Sequence, residues 1–214
     1  MTEFPNTPPE LLPEIRDAMV PLQGWTTPER GFEMADAIFE TRPKIVVEIG
    51  VFGGRSLVAQ ALAMRASGHG GLVVGIDPWR KEAALEGENE DNRKWWTAVD
   101  IEKVHRDAVN AIWSRNLQSH CVIIRSASQH VASLFPRVDM LFIDGNHAMA
   151  MRDVEMWGPK VPPGGYIFAD DADWNSTQFA YNRLKEMADV VNVGDEIVDG
   201  VHRKGHYLVL RKRA

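Results

Sequence analysis

The sequence predicts an α/β fold in which helices cover both faces of a mainly parallel sheet. From Lys44 onward, short runs rich in β-branched residues alternate with longer amphipathic stretches, a pattern typical of βαβ units. A glycine-rich turn follows the first of these runs, and open α/β sheets bind ligands at such turns. The chain has 214 residues, of which 44% are hydrophobic and 25% charged, so one folded domain is expected.

Seven strands are predicted. Five runs are short and almost continuously apolar, as strands covered by helices on both faces should be. The last two runs are joined by a short turn that contains Asp199 and Gly200, which predicts a closing antiparallel hairpin. The predicted strands are 44–49, 71–77, 120–125, 138–143, 165–170, 189–198 and 206–211.

The stretches between these strands have the periodicity of helices. We assign residues 1–214 to one domain, with a helical cap at 1–42 followed by an α/β core at 43–214. The polar segment 80–94 is predicted to be a mobile or helical insertion. Helices are predicted at 27–41, 55–67, 93–116, 128–135, 148–158 and 175–187.

Composition narrows the possible classes of function. The formal net charge of −6 argues against a general nucleic-acid binder. The single cysteine, Cys121, lies in an apolar run, which predicts an inert core residue in a reducing compartment. No stretch resembles a signal peptide or a membrane span, so a cytoplasmic protein without a membrane partner is expected.

The first glycine loop predicts a cofactor site. The run Glu48-Ile49-Gly50-Val51-Phe52-Gly53-Gly54-Arg55-Ser56 passes from a strand through a glycine-rich turn into a helix. Its G-x-x-G-G spacing differs from the G-x-G-x-x-G dinucleotide fingerprint. Asp77 ends the next strand, where a carboxylate can accept hydrogen bonds from ribose hydroxyls or, alternatively, begin a turn. These features indicate a nucleoside cofactor without separating nicotinamide from S-adenosylmethionine.

Three aspartates follow two further strands. Asp144 ends one predicted strand, and Asp170 and Asp171 end the next. Because neighbouring parallel strands finish at the same edge, these carboxylates should converge and repel unless a cation or a proton intervenes. Mg²⁺ suits such oxygen ligands. Each aspartate alone also fits a helix cap or an Asx turn.

His147 follows Asp144 by three residues and is predicted to pass over the same edge. An imidazole there can accept the proton of a substrate hydroxyl while a metal ion lowers the pKa of that hydroxyl. The alternative is that His147 only begins the following helix.

The glycine loop, the acidic strand end and the closing hairpin together resemble the class I S-adenosylmethionine-dependent methyltransferases. The resemblance covers about residues 44–210 and implies a Rossmann-like, mainly parallel seven-stranded sheet. It implies that Ser126-Ala127-Ser128-Gln129 borders adenine, a segment that also fits a helix N-cap. The cofactor-binding residues that it implies are Glu48, Gly50, Gly54, Ser56, Asp77, Ala127, Ser128, Gln129 and Asp144.

The aspartates sharpen this resemblance. Asp144, Asp170 and Asp171 match the metal-ligand positions of Mg²⁺-dependent O-methyltransferases, including the catechol type. Catechol enzymes have a lysine at the base position, whereas this sequence has His147, as in the macrocin and mycinamicin group of sugar O-methyltransferases. The sequence is also similar to small mycobacterial enzymes that methylate a mannoside in making methylmannose polysaccharide. The resemblance therefore implies methylation of a sugar or oligosaccharide hydroxyl, with a phenolic acceptor or a non-catalytic cofactor-binding module as alternatives.

Aromatic residues are candidates for the acceptor side. The chain has seven tryptophans, and Trp25, Trp79 and Trp174 follow predicted loops or strand ends near the active edge. Flat rings there can stack on a sugar or enclose an aromatic acceptor, although core packing is nearly as well supported. His202 is a further candidate near the mouth of a pocket. By family analogy, a homodimer is plausible.

Overall fold

The computed structural model describes residues 4–198 and 200–214, and it has the predicted seven-stranded sheet. The strand order is β3-β2-β1-β4-β5-β7-β6. Strands β1 to β5 run parallel, while β7 is antiparallel to both β5 and β6. The strands are β1 (Ile45–Ile49), β2 (Leu72–Asp77), β3 (Cys121–Arg125), β4 (Met140–Ile143), β5 (Tyr166–Ala169), β6 (Ala188–Val198) and β7 (Val201–Lys212).

The sheet register brings the candidate residues to one edge. Ile49 at the end of β1 pairs with Ile76 of β2 on one side and with Ile143 of β4 on the other. Ile143 in turn pairs with Ala169, the last residue of β5. The segments that follow β1, β2, β4 and β5 therefore begin side by side, as the sequence predicted.

The helices cover both faces of the sheet. Short 3₁₀ turns occur at Ala132–Leu134, His147–Met149 and Gly158–Lys160. The α-helices are α1 (Leu11–Met19), α2 (Pro28–Thr41), α3 (Arg55–Ser67), α4 (Lys81–Ala84), α5 (Glu90–Ala98), α6 (Ile101–Trp113), α7 (Ser128–Val131), α8 (Ala150–Trp157) and α9 (Asn175–Met187).

One helix prediction is wrong at its centre. The predicted helix at 93–116 is two helices, α5 and α6, separated at Val99 and Asp100. Val99 has an extended backbone, and the Asp100 side chain accepts a hydrogen bond from the backbone N–H of Lys103 at 2.9 Å. Asp100 is therefore an N-cap that starts a new helix, and the periodicity of the flanking residues concealed it.

Smaller differences concern element ends. The predicted helices at 128–135 and 148–158 each include a 3₁₀ segment beside a short α-helix. The last strand extends from 201 to 212 rather than from 206 to 211. The hairpin is confirmed, although Asp199 of its predicted turn lies outside the described residues.

The N-terminal cap is built into the core. Helices α1 and α2 pack on α3, which lies on one face of the sheet. Arg30, Met34 and Ile38 recur at helical spacing on the buried face of α2. In the part of the chain that is described, no helix combines the length and apolar character needed to cross a bilayer.

Candidate active site

The glycine loop is fitted to the neighbouring strand end. Gly50 has a φ of +84°, and a Cβ atom there would lie 2.0 Å from the carbonyl oxygen of Asp144. Only glycine permits this approach, because any side chain would displace the segment after β4. Gly54 precedes α3, so Ser56 lies in the first turn of that helix.

Asp77 organises the loop backbone. Its Oδ2 atom accepts hydrogen bonds from the N–H groups of Val51 and Phe52, each at 3.0 Å. Its Oδ1 atom accepts a hydrogen bond from the N–H of Trp79 at 2.7 Å. Burial raises the pKa of Asp77 overall, although these hydrogen bonds oppose the shift. The position predicted for ribose binding therefore also holds the glycine loop in place.

Glu48 lies beneath the loop. Its side chain has no exposed surface, and it accepts hydrogen bonds from Ser56 Oγ at 2.8 Å and from Gln60. Burial raises the pKa of Glu48 to about 8 against the effect of these bonds. Glu48 and Ser56 thus bond to each other, and this pair supports the loop from inside.

The segment predicted to border adenine follows β3. Ser126, Ala127 and Gln129 are half-buried, whereas Ser128 is buried and donates a hydrogen bond to Asp153. Burial raises the pKa of Asp153 to about 6, and the Ser128 bond limits this rise. The segment is also the start of a helix, as the alternative predicted: Ala127 is the N-cap residue of α7, without a side-chain capping bond.

The three predicted aspartates interact electrostatically. Burial, together with the charges of Asp170 and Asp171, raises the pKa of Asp144 well above its usual value. Burial would also raise the pKa of Asp170, but Arg30 and His206 outweigh it and hold that pKa below its usual value. The carboxylates at the two strand ends therefore influence one another, and the ionised form of Asp144 is the one that burial and its acidic neighbours disfavour.

Asp171 has a backbone conformation that aspartate tolerates better than most residues. Its φ is +52°, and its carbonyl oxygen accepts hydrogen bonds from Thr177 Oγ1 at 2.6 Å and from the N–H of Trp174 at 3.0 Å. This turn directs Asp171 Oδ2 to His147 Nε2, 2.9 Å away. Strain of this kind is often retained where a side chain must be placed for function.

His147 is held from both ring nitrogens. Its Nδ1 atom lies 2.9 Å from Ser176 Oγ, and its ring packs edge-on against Trp174 with centroids 5.0 Å apart. Burial would lower the pKa of His147, but the hydrogen bond and charge of Asp171 raise it overall. The imidazole lies beside the aspartates, as the sequence predicted.

Arg30 of α2 enters the same cluster and was not predicted. Its buried guanidinium forms an ion pair with Asp170 and lies 3.5 Å from Glu196 Oε2 of β6. The same group lies over the rings of Tyr207 and Phe142, at 4.3 Å and 5.1 Å from their centroids. Glu196 also accepts a hydrogen bond from the N–H of Thr27 at 2.7 Å, so the cap and the hairpin meet at the acidic cluster.

His206 of β7 supplies a further imidazole. Its side chain is 4% exposed, and its Nδ1 atom lies 2.9 Å from Asp173 Oδ1. Its Nε2 atom faces the aspartates, 3.5 Å from Asp171 Oδ1 and 3.8 Å from Asp170 Oδ1. One potential ligand atom from each of Asp170, Asp171 and His206 lies within 4.8 Å of the others, close enough to share a cation.

Three residues of the cluster were not predicted, and the sequence indicates them to different degrees. Arg30 occurs in register with the apolar positions Met34 and Ile38, and a charge on the buried face of a helix requires a partner. His206 directly precedes the apolar end of the last strand. Glu196 had no comparable signal, because its partners come from elements that are distant in sequence.

The four predicted substrate residues have different environments. Trp25 is 37% exposed and stacks on Phe52 with centroids 5.3 Å apart. Trp174 lies beside His147, as predicted. The prediction for Trp79 is wrong, because its side chain is 2% exposed and its Nε1 atom donates a hydrogen bond to Phe52 O at 2.9 Å.

His202 lies elsewhere. It pairs with Ile197 in the β6–β7 hairpin, and its Nε2 atom is 3.4 Å from Asp195 Oδ2. Its side chain is 55% exposed. His202 therefore does not belong to the cluster formed by His147 and the aspartates.

Comparison with known proteins gives a family match. A family profile described as "Methyltransferase domain" matches residues 47–172, which include the glycine loop and all three aspartates. No curated protein sequence matches the chain.

Solved structures share the fold along nearly the whole chain. The O-methyltransferase TomG from Streptomyces achromogenes, in complex with SAM, has a TM-score of 0.65 at 14% identity and covers 97% of this chain and 92% of its own. The O-methyltransferase from Bacillus cereus, in complex with SAH, has a TM-score of 0.63 at 15% identity, with coverage of 96% and 92%. SAH-bound PaMTH1 from Podospora anserina has a TM-score of 0.63 at 14% identity, with coverage of 97% and 89%.

Proposed function

This chain belongs to the methyltransferase domain family, and from that premise we propose that it is an S-adenosylmethionine-dependent O-methyltransferase. The solved O-methyltransferases that share its fold were crystallised with SAM or SAH, which supports the choice of cofactor. The glycine loop after β1 and Asp77 after β2 lie at the edge where open α/β sheets bind nucleosides.

The observation that carries the proposal is the position of His147. Its Nε2 atom lies 2.9 Å from Asp171 Oδ2, and the charge of Asp170 also acts on it. A base next to a site that can hold a cation suits removal of a proton from a hydroxyl group. Methylation of oxygen needs this step, because a hydroxyl is a weak nucleophile.

The donor set fits a divalent cation. Burial first, and then the charges of Asp170 and Asp171, raise the pKa of Asp144, and both effects disfavour its ionised form unless a cation lies nearby. Asp170, Asp171 and His206 have ligand atoms close enough to share a cation, and we propose Asp144 as a further oxygen ligand of the kind that Mg²⁺ prefers. A cation bound there would supply polarisation of the acceptor oxygen.

Each of these residues has a separate role in methyl transfer. The cofactor supplies a methyl group that is already activated by its sulfonium, so the protein mainly provides alignment. His147 accepts the hydroxyl proton, the acceptor oxygen bonds to the methyl carbon, and the methyl–sulfur bond breaks. Asp171 holds the imidazole in position through Nε2, and Nδ1, which now faces Ser176 Oγ, would receive the proton once the acceptor hydroxyl takes the place of Ser176.

We propose a sugar or glycoside hydroxyl as the acceptor. The histidine at position 147, where catechol enzymes have a lysine, supports this choice over a phenol. The homodimer and the cytoplasmic location stay predictions.

Calorimetric titration tests the cofactor, and methyl-transfer assays test the reaction. S-adenosylmethionine and NADH would be titrated separately into the protein. Transfer would then be followed to methyl mannoside and to catechol, with Mg²⁺ or with excess chelator. The proposal predicts binding of S-adenosylmethionine alone and chelator-sensitive transfer to the sugar.

Other outcomes would change specific parts of the proposal. Transfer that resists the chelator would overturn the metal site and retain the fold and cofactor. Transfer to catechol alone would replace the sugar by a phenolic acceptor. Cofactor binding without transfer to any acceptor would indicate a binding module.

A further inference from the structure

A cavity of about 390 Å³ opens beside His147. One wall is the insertion arm, which we define as residues 86–89, and the opposite wall is the start of α9, including Trp174 and Phe179. The volume lies in the usual range for small-molecule sites.

The insertion arm is fastened to the turn that carries His147. The Nδ2 atom of Asn146 donates hydrogen bonds to the carbonyl oxygens of Ala83 at 3.0 Å and Glu86 at 2.8 Å. Gly87 has a φ of +73°, and a Cβ atom there would lie 2.8 Å from the Cβ of Ala148. The arm is therefore docked against the His147 turn and forms a fixed wall of the cavity.

The two walls differ in chemistry. Phe179 is 78% exposed, and it lines the cavity together with Trp174. The insertion arm contributes two acidic residues to the lining, Glu86 and Glu88, and Glu88 Oε2 accepts a hydrogen bond from Asn92 Nδ2 at 2.7 Å. Among the described residues that line the cavity, there is no lysine or arginine.

From this arrangement we propose that the cavity is the acceptor site and that it selects a neutral or cationic hydroxylated ring over an anionic one. The apolar wall covers the face of the ring, and the insertion arm faces its polar edge. A negatively charged substituent that faces the insertion arm is disfavoured, because it would meet two acidic residues on a wall without lysine or arginine. The inference rests on the proposed function, since it takes His147 to be the group that receives the acceptor proton.

The test uses acceptors that differ only in charge. Methyl glucoside is neutral, the methyl glycoside of glucosamine is cationic, and methyl glucuronide is anionic. Catechol, dopamine and 3,4-dihydroxybenzoate form the same series for phenols. Binding to the protein saturated with S-adenosylhomocysteine would be followed by ligand-observed NMR, and methyl transfer by kcat/KM.

We expect the anionic acceptor of a series to bind about tenfold or more weakly than the neutral one. Glu86→Gln combined with Glu88→Gln should remove most of this difference. Glu90→Gln is the matched control, because Glu90 is an exposed carboxylate on the next helix that does not line the cavity. Phe179→Ala should raise the KM of every acceptor while leaving the affinity for S-adenosylhomocysteine unchanged.

A second variant tests the docked arm. Asn146→Asp keeps the oxygen that accepts the N–H of Ala148 at 2.8 Å but loses both donors to the arm. Faster amide exchange in the insertion arm and a raised acceptor KM are expected. Unchanged exchange would show that Asn146 does not hold the arm.

The results separate failure of the inference from failure of the proposed function. Equal binding of all charges, unaltered by the double glutamine variant, would overturn the inference even if methyl transfer is observed. Charge-selective binding without transfer to any acceptor would retain the cavity and reject the proposed function.

Discussion

Two halves of the same sheet edge balance charge in different ways. The glycine-loop half comprises residues 50–54 and Asp77, and the carboxylate half comprises Asp144, Asp170, Asp171 and His147. In the glycine-loop half, three backbone N–H groups bond the Asp77 carboxylate, all from residues near it at this edge. In the carboxylate half, the compensating groups are Arg30 and His206, from elements far away from β4 or β5 in sequence.

This difference shows that different interactions stabilise the two halves. The glycine-loop half depends on backbone geometry and close approach, whereas the carboxylate half depends on a buried ion pair between the cap and the core. The following predictions test this contrast, from the largest expected change in stability to the smallest.

Removing the buried cation should have the largest effect. Arg30→Met removes the cation that pairs with Asp170 and Glu196 in a buried site, which should cost about 3–5 kcal/mol of unfolding free energy. For a chain of this size, the Tm should fall by about 10 °C in thermal unfolding. Arg183→Met is the control, because the Arg183–Glu186 pair is more than half exposed on one helix. Similar losses in both variants would refute the contrast.

A methyl group at Gly50 should disturb the glycine-loop half through packing. Gly50→Ala combines a left-handed backbone with the 2.0 Å approach to Asp144, so we expect a loss of about 2–4 kcal/mol in denaturant unfolding. Gly164→Ala is the matched control, since Gly164 has a φ of +80° but nothing within 4 Å of the added Cβ atom. If the two variants lose the same stability, the clash with Asp144 is unimportant.

Replacing Glu48 should change how stability depends on pH. Its pKa of about 8 in the folded state exceeds the ordinary value of 4.5, so the folded state loses stability as pH rises from about 4.5 to 8. Glu48→Gln should remove this loss and stabilise the protein at pH 8, by about 5 kcal/mol at most.

Replacing Glu40 should have the opposite effect on stability, because its pKa is lowered. Burial is outweighed by hydrogen bonds from Tyr166 and Arg211, which hold the pKa of Glu40 below its usual value. Glu40→Gln should therefore destabilise the protein at neutral pH, and this loss should vanish as pH falls through that lowered pKa.

The outcome that would contradict the Glu48 prediction is a pair of parallel pH–stability curves for wild type and Glu48→Gln. Such curves would show that Glu48 is not a buried, largely protonated carboxyl.

The same contrast explains which features could be predicted from the sequence and which could not. The strands, the hairpin, Gly50 and the three aspartates could be predicted because their signals are local: apolar runs, a glycine at a strand end and acidic residues at neighbouring ends. Arg30 and Glu196 could not be assigned, because their roles depend on contacts between the cap, the hairpin and β5. Trp79 was misassigned because a strand-end tryptophan can turn inward, and its Nε1 bond to Phe52 shows that it does.

The central claim is that the carboxylate half performs the chemistry. The most direct measurement compares His147→Ala with His120→Ala, since His120 precedes β3 at the opposite end of the strands. We predict that His147→Ala lowers methyl transfer by about 10²–10⁴-fold and leaves S-adenosylmethionine affinity unchanged, whereas His120→Ala changes neither. Near-normal transfer by folded His147→Ala would contradict the account.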